Sequence, residues 1–305
     1  MKKNNLSAIF MGDTPLLYSC LLYSLKIFKK VFVITKNKKI LNLIPNKINK
    51  LSGLDDKRLK GINYFFSLMN EEIIPSRIYD SKKMQIINFH DGPLPKYAGL
   101  YSSTWAIINS EKNHGVTWHK VNDIIDGGDI LLKKKFQISK NDTAESIDLK
   151  SNFNGFILFK DLIKKIISNN LEGEKQNFKK RTYFGLKDRY KIPNYGFINY
   201  NDSINKILRI ARSLKMSPNK KNKLCKLKIL TSMGVMEIQE INLLKNKNFK
   251  VYKPNQIIIC NNKGFYLKIK NNILHFKLKN KKIIKKFKLF IPNQKFINQF
   301  KKKSI

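Results

Sequence analysis

The sequence predicts an α/β protein: a Rossmann-like domain followed by a small, mostly β, barrel-like domain. Three observations carry this. The first 36 residues read as strand, turn, helix, strand, the opening of a doubly wound sheet. The last third breaks into short alternating apolar–polar segments with Asn and Gly between them, as in a small β-barrel. The length, 305 residues with 42% hydrophobic, suits two cores better than one.

The elements follow in order. LSAIFMG (6–12) is a first buried strand, TPLLYSCLLYSL a helix and VFVIT a second strand. INYFFSLMN (62–70) and MQIINF (84–89) read as two more, joined by IIPSRIYD as a short helical connection. YSSTWAIIN (101–109) is a short helix with Ser102 or Ser103 as N-cap. GVTWHKV (115–121) and DILLKKKFQI (129–138) alternate as strands. Asp142 and Glu145 are spaced as a capping box for a long helix bearing Ile147, Phe153, Phe156, Leu162, Ile163 and Ile166. We expect the first domain over 1–180 and a Gly-, Pro- and Tyr-rich linker over 181–202. A helix from residue 203 to 214 plus the β-rich domain then fill 203–290, and a polar tail over 291–305 is expected to fray. The expected β segments are KLKILT, GVMEIQEINLL, NQIIIC, GFYLKIK, ILHFKLK and KKFKLF.

The bulk composition excludes several classes. Cys20, Cys225 and Cys260 are scattered and odd in number, which fits neither a disulfide framework nor a zinc knuckle and suits a reducing cytoplasm. Gly12-Asp13-Thr14-Pro15 breaks the apolar run after Lys2 and Lys3, which reads against a signal peptide, and no run approaches a membrane span. The formal charge of +40 invites a polyanionic partner. Yet the basic residues are nearly all Lys, set among abundant Asn and Ile, as an AT-rich coding sequence would impose. Both readings stay open. The turn at Gly12 lacks G-x-G-x-x-G, so no NAD site is expected.

The chemistry concentrates in two stretches. NFHDGPLPKYAG (88–99) follows an apolar strand directly, where open α/β sheets place their ligand crevice. Asn88 and His90 are two apart and share a strand face, and Gly92, Pro93, Pro95 and Gly99 enforce a rigid loop. HKVNDIIDGGDI (119–130) delivers His119 and a loop with Asp123 and Asp126 ahead of two glycines. Together these residues make an acyl-transfer set: Asn88 and a protonated His90 donate to an oxyanion, and Asp126 orients His90 and takes part in proton transfer. Singly, each has a blander reading as a loop cap, a core histidine or an ordinary turn.

These stretches, with STWAIINSEKNHGVTWHKV between them, resemble the catalytic region of the formyltransferases that use 10-formyltetrahydrofolate. The family's Asn-x-His motif matches Asn88 and His90, its essential aspartate Asp126, and its second histidine His119. The resemblance implies formyl transfer from 10-formyltetrahydrofolate to a primary amine, with no metal and no membrane partner. It places the folate pocket at Leu68, Asn70 and Ile73, with Asp123 and Ile125 beside them, and gives His119 and Gly99 supporting roles. RTYFGLKDR and the helix ending in ARSL are similar to the methionyl-tRNA type, which implies an aminoacyl-tRNA acceptor. The DGPLPKYAGLYSS text is closer to formyltransferase domains heading peptide and polyketide synthetases, so a free or carrier-bound amino acid or amino sugar is the alternative. A basic nucleic-acid-binding protein with an inactive formyltransferase domain is the alternative of another class. For the tRNA reading, Lys226, Lys228, Lys268, Lys270, Lys277 and Lys279 alternate along strands and could line one face; the alternative is that they are simply the solvent side of a half-buried sheet.

Overall fold

A computed structural model describes residues 4–70, 72–75, 78, 84–217, 222–244, 252–253, 255–261, 264–279 and 287–303. The chain forms two compact units, one of residues 1–102, 112–138 and 147–183, the other of 103–111, 139–146 and 184–305.

In the first unit, β1 (Asn4–Gly12), β2 (Phe28–Ile34), β3 (Asn49–Lys50), β4 (Tyr64–Leu68) and β5 (Gln85–His90) run parallel. The short strand β6 (Ala98–Gly99) pairs elsewhere, and β7 (Asn113–Lys120) and β8 (Ile130–Gln137) join the sheet antiparallel, giving the order β3-β2-β1-β4-β5-β7-β8. The central strand β1 is buried on both faces, as parallel strands under helices are. Ala8 and Phe10 point into one core with Leu17, Phe66 and Phe159, while Ile9 and Met11 point into the other with Phe32, Phe65 and Ile86.

Helix α1 (Pro15–Ser24) starts with proline at its first position, where the missing N–H costs nothing, and buries Leu16, Leu17, Cys20 and Leu21. Among the elements that went unpredicted are β3 and α2 (Lys38–Leu43), whose N-cap Asn37 accepts from the Lys39 and Ile40 N–H groups. Half of the expected helical connection IIPSRIYD lies outside the described residues. Helix α3 (Ser102–Ile108) and helix α4 (Ala144–Ile167) stand where the sequence placed them. The capping box of α4 is one residue on from the expected pair. Thr143 Oγ1 accepts from Ser146 N at 3.1 Å and Ser146 Oγ accepts from Thr143 N at 2.9 Å. Asp142 instead takes the Ser139 N–H and the Ser146 hydroxyl, and Glu145 N–H goes to the Lys215 carbonyl.

In the second unit, α5 (Ile204–Leu214) is capped by Ser203, whose hydroxyl accepts from Lys206 N. Short 3₁₀ turns order the linker text after β9 (Tyr183–Phe184), the strand where the first unit ends and which pairs with β6 of that unit. Strands β10 (Lys228–Thr231), β11 (Gly234–Leu244), β12 (Ile257–Asn261), β13 (Gly264–Ile269), β14 (Asn272–Leu278) and β15 (Leu289–Phe290) form an antiparallel half-barrel in the order β12-β13-β14-β11-β10-β15. Phe265 and Phe276 stack at 4.8 Å at its heart. The expected frayed tail is instead helix α6 (Gln294–Lys303), whose Phe296 and Phe300 pack edge-on against buried Phe197. Three apolar side chains at helical spacing (Phe296, Ile297, Phe300) outweigh the surrounding lysines. No helix among the described residues is long and apolar enough to cross a membrane.

Candidate functional site

Strand alternation builds the site. On β5 and β7, Phe89 faces Trp118 with ring centroids 5.1 Å apart, and Trp118 donates to the Gly155 carbonyl of α4. That face is closed by packing: a Cβ on Gly155 would come 2.5 Å from the Phe89 ring. The intervening residues therefore turn to the opposite face. Asn88 stands opposite His119 in the ladder, with His90 opposite Thr117, so Asn88 and His119, 31 residues apart in sequence, become neighbours.

Asp126 is the hub. Its Oδ2 accepts from Gly99 N at 2.8 Å and lies 3.5 Å from His90 Nδ1; its Oδ1 lies 3.5 Å from His119 Nε2 and 3.4 Å from Asn88 Nδ2. Burial pushes this carboxyl up, but the neighbouring His90 and the Gly99 N–H outweigh it and hold Asp126 well below the usual carboxylate range. It is ionised throughout the neutral range.

The hydrogen-bond network fixes the partners. His119 Nδ1 donates to the Lys120 carbonyl at 2.7 Å, which leaves Nε2 to accept from Asn88 Nδ2 at 3.0 Å. His90 Nε2 donates to the Tyr97 carbonyl at 2.7 Å, so only Nδ1 is left for chemistry. The two contacts from Asn88 and His90 to Asp126 are long for charge-assisted hydrogen bonds, which favours their tightening on an incoming oxygen.

Of the expected folate residues, Leu68 is fully buried in the core, so it offers only backbone at its strand end. Asn70 closes a local turn, accepting from Glu72 N and donating to Glu72 O. Ile73 is 74% exposed, and Asp123 and Ile125 sit on the exposed part of the loop before Asp126. Sequence reasoning missed three partners: the Tyr97 carbonyl, Gln176 and Arg181. The side chains of Gln176 and Arg181 bond the Asp126 loop from about 50 residues away, a separation at which no motif links them.

The six lysines expected on one face divide. Lys228 and Lys268 are buried, and Lys268 donates to the Tyr252 carbonyl. Lys226 and Lys279, themselves exposed, both meet Glu237, at 2.5 and 3.5 Å, and Lys270 and Lys277 are exposed too. Cross-strand pairing and burial break the alternation that the sequence suggested.

Residues 68–161 match the family described as formyl transferase. A methionyl-tRNA formyltransferase of Thermodesulfovibrio yellowstonii is 33% identical over 158 residues, covering 51% of this chain and 50% of that one. One from Prochlorococcus marinus subsp. pastoris is 30% identical over 251 residues, 79% of this chain and 74% of the other. The chain spans half or less of the length of several curated relatives that it matches. Among solved structures, the N-formyltransferase of Helicobacter canadensis in complex with folinic acid and dTDP-3-aminofucose is similar with a TM-score of 0.65 at 25% identity. The likeness covers 90% of this chain and 99% of that one. With its Asn-x-His strand end and aspartate loop set inside the matched region, the chain belongs to the formyltransferase family.

Proposed function

We propose that the protein transfers the formyl group of 10-formyltetrahydrofolate to the primary amine of an amino sugar. The observation that carries formyl transfer is the convergence of Asn88 Nδ2 and His90 Nδ1 on the Asp126 carboxylate. In this reading the acceptor nitrogen attacks the formyl carbon and the carbonyl oxygen becomes an oxyanion held by the Asn88 amide and the protonated Nδ1 of His90. The bond to folate N10 then breaks. The proton lost by the amine returns to N10 through Asp126 and water, so the charges balance. His119 keeps the Asn88 amide aimed by accepting one of its hydrogens. Gly99 holds Asp126 through its N–H. Ile125, with Ile124, offers exposed apolar side chains on the Asp126 loop, suited to the flat pterin, and Leu68, Asn70, Ile73 and Asp123 complete the folate candidates. A reducing cytoplasm suits the free thiols Cys20, Cys225 and Cys260.

Two observations support an amino sugar over aminoacyl-tRNA. The likeness to the Helicobacter canadensis enzyme runs through 99% of that chain, and its complex holds an amino sugar nucleotide. The lysines expected to meet tRNA phosphates are buried or paired in four cases of six. The test is to supply 10-formyltetrahydrofolate with dTDP-3-aminofucose or with charged initiator methionyl-tRNA and follow mass. We expect the gain of one CO unit on the amino sugar. Formylation of the tRNA alone, falling steeply with salt, would overturn the amino-sugar acceptor and restore the tRNA one.

A further inference from the structure

Asp126 adopts a left-handed backbone, φ 51°, uncommon for a non-glycine residue; aspartate tolerates it, but a fixed aim needs contacts that hold it. The loop itself is lightly packed: Asp123, Ile124 and Ile125 are all exposed, and its internal bonds include a turn from Gly127 N to Ile124 O and an Asn122 contact. Further contacts come from the segment 174–182. Gln176 is buried, and its Nε2 donates to the carbonyls of both Asp126 (2.8 Å) and Gly128 (2.7 Å). Arg181 donates through Nη2 to the Ile125 carbonyl at 2.6 Å and through Nη1 to the Asp126 carbonyl at 3.4 Å, its guanidinium lying over the Phe178 and Tyr183 rings.

The Gln176 amide can have only this orientation, because both neighbours are acceptors and a flipped oxygen would face two carbonyl oxygens. Its Oε1 is buried with no partner among the described residues, so the amide is placed for the loop carbonyls at a cost to its own acceptor. The segment is itself tied down on both sides of the site. Glu174 and Ile130 exchange backbone hydrogen bonds at 2.8 Å, Ala98 N donates to the Thr182 carbonyl, and Tyr97 N donates to Thr182 Oγ1. Those last two bonds fix the loop whose Tyr97 carbonyl receives His90 and whose Gly99 N–H holds Asp126.

We infer that Gln176 and Arg181 are positioning residues for the proposed transfer: by clamping the carbonyls of Ile125, Asp126 and Gly128 they fix the aim of the Asp126 carboxylate between His90 and His119. This rests on the formyl-transfer reading of the site. Neither residue touches the reacting atoms in that mechanism, and each acts through Asp126.

The test is kinetic. Gln176→Leu keeps the volume and removes the amide; it should lower kcat by roughly 100-fold, the size of effect that a small misplacement produces, and leave KM for the formyl donor little changed. Because the residue acts through Asp126, Gln176→Leu should cost no further rate when added to Asp126→Asn. If Gln176→Leu fails to fold, the half-buried Arg181 decides: kcat should rank wild type above Arg181→Lys, which keeps one donor, above Arg181→Met. Wild-type kcat in Gln176→Leu and Arg181→Met, with Asp126→Asn crippled, would overturn the inference and leave the formyl-transfer reading standing. A fully active Asp126→Asn would overturn that reading itself.

Discussion

Asp126 in the first unit and Lys228 in the second are both ionisable groups taken largely out of water, and their surroundings answer the charge differently. Asp126 meets a backbone N–H, the His90 ring and the Asn88 amide, and these more than offset burial. Lys228 meets the rings of Tyr195, Phe197 and Phe300, with Nζ 4.3 to 4.8 Å from their centroids, while the carboxylate of Glu237 is occupied by Lys226 and Lys279. Burial there pulls the ammonium down to about 8. The fall of its pKa corresponds to roughly 3 kcal/mol at 1.36 kcal/mol per unit, whereas ring faces attract a cation by about 0.5–2 kcal/mol. The charge at Asp126 is provided for by polar groups aimed at it. The charge at Lys228 is tolerated. Such provision is what a functional site needs, and it separates the two regions more sharply than their net charge does.

The largest expected effect breaks the polar cluster. His90→Ala and Asn88→Ala should each lower turnover by roughly 10²–10³-fold, the usual loss for one oxyanion contact, with an unchanged circular dichroism spectrum. Wild-type turnover in His90→Ala would remove the mechanism.

Next comes the apolar face that backs the cluster. Gly155→Ala would improve helix propensity by about 0.5–1 kcal/mol, yet its Cβ would stand 2.5 Å from the Phe89 ring, and overpacking costs about 1–3 kcal/mol. The net sign is therefore destabilising, read as a lower urea midpoint at unchanged m-value. A higher midpoint would mean that α4 shifts freely away from β5.

A smaller effect of opposite sign is expected at Lys228. Its folded pKa lies below the ordinary lysine value, so between about pH 8 and 10.5 the unfolded chain binds more protons and stability rises with pH. Lys228→Met should raise the melting temperature at neutral pH by roughly 2–4 °C and flatten that rise. A lower melting temperature at every pH would show that the ring contacts outweigh burial. Asp126 behaves in the reverse sense: its depressed carboxyl contributes stability above the ordinary aspartate range, lost only as the pH falls below it, so it gives no pH dependence near neutrality.

The smallest effect is expected at the exposed lysines Lys270 and Lys277. Changing both to Ser should leave amino-sugar formylation and its salt dependence unchanged, since neither is placed in the site.

What the sequence made legible follows from local physics. Apolar runs such as FMG and INF marked β1 and β5 because buried parallel strands need no long-range information. Asn88 and His90 could be put on one face from a spacing of two. Their meeting with Asp126 depended on the register of β7, with His119 opposite Asn88; the chemistry of the set and the resemblance anticipated it, whereas spacing did not. Helix α6 was missed because its three apolar residues are diluted by Lys and Asn. Gln176 and Arg181 were missed because a side chain that clamps distant carbonyls leaves no periodicity. The lysines misled for a related reason: alternation predicts a face but not which cross-strand neighbour, Glu237 or a ring, occupies it.

The central claim is that the ionised Asp126 organises formyl transfer and does not merely support the fold or the folate pocket. Single-turnover transfer from 10-formyltetrahydrofolate to dTDP-3-aminofucose, compared between wild type and Asp126→Asn at saturating folate, tests it most directly. Folate binding is read independently as a rise in melting temperature. Asp126→Asn should still gain stability from 5-formyltetrahydrofolate yet transfer the formyl group roughly 10²–10³-fold more slowly. Transfer at the wild-type rate by a variant that binds folate normally would contradict the claim.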